Sequence, residues 1–209
     1  MQEKDIEKII EAVKADRMSV AEAVAEVKFL PFTDTGFAKV DHHREVRTGF
    51  PEVVYCQGKT AGQVREIIVS LRSGTNKNIL ATRATHEIFE AVKGAAGEAR
   101  YHENACLIVL EREKQPAVGN VLVIAAGTSD IAVADEAAVT AGALGSRTET
   151  LYDVGIAGAH RLFAHKDQLL RARVIVAVAG MEGALPGLVS GLVSAPVIAV
   201  PTSVGYGAS

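Results

Sequence analysis

Apolar and polar positions change their rhythm three times along the chain. Residues 3–15 place Ile6, Ile9, Ile10 and Val13 at helical spacing, and Ser19 followed by Glu22 forms a capping-box pattern ahead of a second short helix, 20–27. Residues 29–40, FLPFTDTGFAKV, mix Pro, Gly and Thr with apolar positions and predict a linker lying on a surface. Strand and helix patterns then alternate: strand 52–56, a helix opening at Thr60 with Val64, Ile67, Ile68 and Leu71 inward, strand 79–82, helix 85–93 and strand 105–110. That order, βαβαβ, predicts a small α/β domain. The charged, Pro-containing stretch 111–117, EREKQPA, reads as a boundary. Beyond it the alternation is cleaner, with strands 119–126, 147–153, 173–179 and 196–200 and helices 129–143, 158–171 and 185–193. Continuous apolar strands separated by helices imply a doubly wound parallel sheet. The expected organisation is a helical hairpin with linker (1–40), a small α/β domain (41–117) and the parallel α/β domain (118–209).

Composition narrows the classes. The 209 residues are 48% hydrophobic and 22% charged with a net charge of −3, a globular balance that argues against general nucleic-acid binding. Aromatic residues are 5% and Trp is absent, which leaves no base-stacking surface. No apolar run has the length of a membrane span, and the charged N-terminus has no signal-peptide pattern. Two cysteines, Cys56 and Cys106, are too few for a disulfide framework, so a cytoplasmic compartment is expected. Both fall in predicted strands and read as buried structural thiols.

Candidate chemistry gathers after the strands of the second half, where parallel sheets present ligand sites. The first segment, Gly127-Thr128-Ser129-Asp130, is a strand–turn–helix junction. Ser129 or Asp130 can cap the helix, and the free N–H groups suit a phosphate; an ordinary capped turn uses the same residues. In the second, DVGIAGAHRL (153–162), Gly155 and Gly158 permit close backbone approach, Arg161 can bind a phosphate or carboxylate and His160 can move a proton. The third, VAGMEGALPG (178–187), sets Glu182 among Gly180, Met181 and Gly183, either as an exposed turn carboxylate or as a base or cation ligand. The fourth, 201–207, carries Ser203. In the first half, Asp41, His42 and Arg44 lie in a polar segment and Arg83 follows a strand. Adjacent histidines on opposite faces of an extended segment make a poor chelate, and a solvated loop with ion pairs explains the segment equally well.

Together these segments resemble the aminoimidazole-ribonucleotide carboxylase, or PurE-like, fold: Ser129/Asp130 in the first turn, Ala159/His160/Arg161 in the second, Leu185/Pro186/Gly187 in the third. The purine family has a His before Leu-Pro-Gly, where this chain has Ala184. DHHREVRTGFPE, ATRAT, GTSDIAVADEAAVTA, YDVGIAGAHRL, AGMEGALPG and PVIAVPTSVGYGAS, in that order, are more similar to the LarB family, the pyridinium-3,5-biscarboxylate mononucleotide synthases of nickel-pincer cofactor synthesis.

That resemblance implies carboxylation of nicotinic acid adenine dinucleotide by CO2 or bicarbonate, with hydrolysis of its phosphoanhydride to AMP. It implies Glu182, His160 and Asp130 as catalytic residues, Glu182 being the preferred base because it distinguishes this family from the purine one. Gly127, Thr128, Ser129, Asp130, Arg161, Gly180, Met181, Gly183 and Ser203 become substrate contacts, joined by Asp41, His42, Arg44 and Arg83 from the first half. No tightly bound cofactor is expected, a divalent cation such as Mg2+ being the one candidate. A homo-oligomeric ring, an octamer, is implied, with the small-residue helices 131–143 and 185–193 as its contacts. The family's nucleophilic cysteine follows the GYGAS segment, so a further helix and strand are expected beyond Ser209. The competing readings are a purine-type carboxylase and a non-catalytic nucleotide-binding module.

Overall fold

The computed structural model describes residues 3–28, 33–34, 36–41, 44, 50–113, 116–180 and 183–203. Helices α1 (Glu3–Lys14) and α2 (Val20–Lys28) form the expected hairpin. The Ser19 hydroxyl accepts from the Glu22 N–H at 3.2 Å while the Glu22 carboxylate accepts from the Ser19 N–H at 2.8 Å, the reciprocal bonds of a capping box. Two short strands, β1 (Thr33–Asp34) and β2 (Lys39–Val40), pair antiparallel, and Val40 enters the first core.

The first sheet holds β3 (Val53–Tyr55), β4 (Ile79–Thr82), β5 (Ala99–His102) and β6 (Leu107–Leu110) in the order β3-β4-β6-β5. β3 and β4 run parallel, whereas β6 runs antiparallel to β4 and to β5. The βαβαβ expectation therefore needs correction: a strand, β5, precedes the last one and makes the sheet mixed. Helices α3 (Ala61–Gly74) and α4 (His86–Lys93) cover one face. Their Val64, Ile67, Ile68, Leu71, Ile88 and Val92 pack on Ile79, Ala81, Ile108 and Leu110.

The second sheet is wholly parallel, in the order β10-β9-β7-β8, built from β7 (Val118–Ala125), β8 (Ser146–Leu151), β9 (Val174–Ala179) and β10 (Val197–Pro201). Strand alternation divides its side chains between two helical layers. Leu122 and Ile124 of β7, with Ile175 and Ala177 of β9, face α6 (Ala159–Phe163), α7 (Lys166–Arg171) and α8 (Ala184–Ser190). Val123, Ala125 and Val178 face α5 (Ile131–Ala143). The helix expected over 158–171 is interrupted by a turn at Ala164–His165, and a 3-10 turn, Ile156–Gly158, leads into it.

α5 is the shared layer. Its Ala134 and Ala138 pack on the second sheet, while its Val139 and Ala143, with Leu144, lie on the far face of the first sheet against Leu80, Leu107 and Val109. A helix gripped by two sheets needs small side chains on more than one face, and IAVADEAAVTAGA supplies them. Ala134 and Ala138 are thus used within the chain, while Ala132 and Gly142 of the same helix are exposed.

Ala134 is fully buried. Ala134→Leu should lower stability by roughly 1–3 kcal/mol through overpacking, read as a shift in the urea midpoint; an unchanged midpoint would mean that the layers tolerate separation.

Candidate active site

Four connections converge beyond the carboxyl edge of the second sheet. The first, Gly127–Asp130, leaves β7 through a 3-10 turn, Thr128–Asp130, and enters α5. Asp130 makes no side-chain cap on α5. Its carboxylate turns back, Oδ2 accepting from the Gly127 N–H at 3.0 Å and Oδ1 accepting from the Thr202 hydroxyl at 2.6 Å. Asp130 is 4% exposed, and a buried carboxylate is tolerated when hydrogen bonds replace its water. It clips the first connection to the fourth, while Thr128 and Ser129 remain exposed.

The second connection is stitched to the end of β7. The Val154 N–H donates to Ala125 O at 3.1 Å and the Gly155 N–H to Ala126 O at 2.9 Å. A Cβ on Gly155 would stand 2.7 Å from Ala126 O, so only glycine permits this approach. A Cβ on Gly158 would meet Arg161 Nε at 2.6 Å, because the guanidinium lies across that glycine. Arg161 pairs with Asp153, whose backbone is left-handed at φ 57. Both side chains are well exposed, 41% and 50%, so the pair adds little stability and an incoming anion can displace Asp153. His160 is exposed on α6.

The third connection closes with the Gly183 N–H donating to Gly180 O at 3.0 Å, Gly183 taking the left-handed conformation at φ 61. The Thr202 N–H donates to Ala179 O at 3.1 Å, tying the fourth connection to the third, and Ser203 is exposed beside it. His42, Met181 and Glu182 lie outside the described residues.

The structure thus brings together Gly127, Thr128, Ser129, Asp130, His160, Arg161, Gly180, Gly183 and Ser203 along one edge. Sequence reasoning missed Asp153 and Thr202. Asp153 is the acid two residues beyond β8, ahead of Val-Gly, and Thr202 directly follows Pro201; each position was a signal. From the first half, Arg83 reaches the second domain, pairing with Glu136 of α5 at 3.2 Å from a left-handed backbone at φ 56. Asp41 is engaged elsewhere, its N–H donating to the Glu52 carboxylate at 2.6 Å, and Arg44 is exposed.

The cysteines differ from expectation. Cys56 is buried behind β3, and burial pushes its thiol up to about 11. Cys106 lies in no strand but in an exposed turn ahead of β6, with φ 47. A cavity of about 790 Å³ opens at the far end of α5 around Gly142 and Gly145 and includes none of the four connections. Among the described residues, no group of three or more His, Cys, Asp or Glu side chains is arranged to hold a metal ion. Nor is any helix among them long and apolar enough to cross a membrane.

A parallel α/β sheet whose carboxyl-edge turns carry Ser-Asp, Ala-His-Arg and Leu-Pro-Gly defines a PurE-like domain. Family comparison agrees. Residues 32–113 match the LarB/PurE-like N-terminal domain, and residues 120–208 match AIR carboxylase. An uncharacterized protein of Methanocaldococcus jannaschii is 38% identical over 180 residues, covering 81% of this chain and 69% of that protein. The chain belongs to the LarB family, with a PurE-like domain, and its function is of the carboxylase family.

Thr202→Val should strand Asp130 Oδ1 in a buried site and cost about 1–3 kcal/mol in chemical denaturation; no loss would show that water satisfies the carboxylate. Iodoacetamide near neutral pH should alkylate the folded protein at Cys106 and spare Cys56 until unfolding. Because burial raises the Cys56 thiol from 9.0 to about 11, its contribution to stability is complete below about pH 9 and lost as pH rises toward 11. Peptide mapping that finds Cys56 modified in the native state would contradict this.

Proposed function

We propose that the chain carboxylates the pyridinium ring of nicotinic acid adenine dinucleotide with CO2 or bicarbonate and hydrolyses its phosphoanhydride, releasing AMP and the biscarboxylate mononucleotide. The observation that carries the reading is the convergence of the Ser129, His160/Arg161, Gly180–Gly183 and Ser203 segments on one sheet edge, with Ala184 opening α8 where purine carboxylases have His. Exposed Thr128 and Ser129 at the start of α5 offer hydroxyls to a ribose or phosphate. Arg161, held against Gly158, offers a guanidinium to an anion.

The chemistry requires temporary loss of aromaticity. A pyridinium ring is electron-poor and does not attack CO2. A thiolate adding to C4 forms the C–S bond and leaves a dihydropyridine, whose enamine carbon C5 attacks CO2 and forms the C–C bond. A base takes the C5 proton; the electron pair of that C–H bond rebuilds the ring and expels the thiolate. Glu182 is the proposed base, with His160 the alternative. The resemblance assigns the thiolate to the family's cysteine after GYGAS; buried, neutral Cys56 is unsuited to the role. Water attacks the phosphoanhydride, and the departing AMP takes the charge that cationic groups stabilise.

Asp130 serves in this reading as the clip that positions Ser129, since both its oxygens are engaged. The substrate places the protein in the cytoplasm. The implied octamer would draw on helices 131–143 and 185–193, beside which Leu192 and Ile198 are exposed.

Incubation with nicotinic acid adenine dinucleotide and bicarbonate should yield AMP and the dicarboxylated mononucleotide by mass spectrometry. Glu182→Gln should lower turnover by roughly 100-fold with substrate affinity retained. Unimpaired turnover would remove Glu182 as the base, and carboxylation of an aminoimidazole ribonucleotide in its place would favour the purine reading.

A further inference from the structure

A second cavity, of about 450 Å³, opens between the first sheet and α5. It sits beyond the carboxyl ends of the parallel strands β3 and β4, the edge at which parallel strands present ligand sites. Its walls include the apolar Ala84, Ile88, Ala132 and Val133, and Lys59 and Arg83 supply two cations. Lys59 is anchored, donating to Tyr55 O at 2.6 Å. Arg83 is projected from a left-handed backbone and held by Glu136, with half of its side chain exposed (52%). An arginine kept in a costly conformation and paired with a replaceable carboxylate is poised for exchange. Asn104 adds an amide and Cys106 an exposed thiol.

The position of the cavity indicates what it takes. Ala132 and Val133 belong to the first turn of α5, directly after the Ser129 turn. At a rise of about 1.5 Å per residue, Val133 and Glu136 stand only about 6 and 10 Å along the chain's course from Ser129. One elongated ligand can therefore reach both places. The ring-binding edge carries hydroxyls and Arg161, whereas this cavity combines apolar walls wide enough for a flat heterocycle with a cationic end.

We infer that the cavity is the subsite for the adenylate half of the dinucleotide, with Arg83 exchanging Glu136 for the ligand's phosphate and the heterocycle resting against Ile88, Ala132 and Val133. The inference rests on the dinucleotide reading, but its core, a nucleoside monophosphate site built by the first domain on α5, is testable without turnover. The two halves of the substrate then bind to two domains, and α5 fixes their separation.

Calorimetry with AMP and, separately, with nicotinic acid mononucleotide tests this on the full chain. The wild-type protein should bind AMP. Arg83→Gly removes the guanidinium while relieving the left-handed backbone, so the fold should survive; AMP affinity should fall at least tenfold and mononucleotide affinity should hold. Glu136→Gln frees Arg83 and should strengthen AMP binding severalfold, a direction that a purely structural ion pair would not give. AMP should also slow alkylation of Cys106. Were AMP to bind and depend on Arg83 while no dicarboxylated product ever formed, the reaction assigned above would fall and the nucleotide subsite would stand. Equal AMP affinity in the wild type and Arg83→Gly, weaker binding in Glu136→Gln, or displacement of AMP by the mononucleotide would overturn the subsite.

Discussion

The burial of α5 between two sheets is the constraint on which the rest of the molecule depends. An ordinary amphipathic helix needs one apolar stripe; α5 needs two, and both must be shallow. Ala134 and Ala138 allow β7 and β9 to approach, and Val139 and Ala143 meet Leu80, Leu107 and Val109 of the first sheet. The first sheet is consequently apolar on both faces. β6 reads Leu-Ile-Val-Leu with every residue buried, since Ile108 and Leu110 face its own helices while Leu107 and Val109 face α5. At roughly 1.5–3 kcal/mol for each large apolar side chain buried, that second face is a substantial contribution that neither domain provides alone. The same packing sets where the Ser129 turn and Arg83 stand relative to each other.

Burial also assigns different work to three carboxylates. Asp130 is out of water and bonded through both oxygens, so removing a partner strands a charge; its place is in the framework of the site. Asp153 and Glu136 each hold an arginine at a more exposed position, where an ion pair is worth little. A weak pair keeps Arg161 and Arg83 oriented without committing them, as the proposed binding of an anionic dinucleotide would require. Glycine has an equally specific use. Gly155 is required by a backbone oxygen, which cannot move aside, whereas Gly158 meets only the guanidinium of Arg161, which can swing away.

The parallel half was legible because its chemistry is local. Period-two apolar strands, short turns and helical runs in 118–201 predict the order of the observed elements, with ends that differ by up to three residues and one helix that is broken, and the ligand edge follows from strand direction. The first half was less legible. β5 reads Ala-Arg-Tyr-His, with only Ala99 buried, so it lacks the apolar signal and owes its existence to pairing with β6. The break after Phe163 has no Pro or Gly to announce it. Asp130 had the identity of a helix cap, yet Thr202, 72 residues away, completes its bonding instead; a partner so distant leaves no mark in the local pattern. Cys106 looked buried by type and is exposed by position. The small residues of α5 mark close packing, but the sequence does not show that the chain's own first domain takes up Val139 and Ala143.

The relation to the purine carboxylases follows from what the fold leaves variable. The Asp130 clip, the stitching of Val154 and Gly155 to β7 and the β9–β10 pairing all use backbone atoms or buried bonds, so they hold the four connections whatever reaction takes place there. The chemistry rests on side chains that the framework leaves exposed. Replacing the histidine before Leu-Pro-Gly with Ala184 removes an imidazole from the first turn of α8. Placing Glu182 before left-handed Gly183 puts the ionisable group two positions earlier, on a segment whose flanking glycines are already hydrogen-bonded to each other. An anionic acceptor there suits removal of a proton from an electron-poor ring, whereas an imidazole at the helix start suits proton exchange with a neutral aminoimidazole. In the proposed reading this shift of two residues on a constant edge accompanies the change from purine to pyridinium carboxylation, which also requires the thiolate.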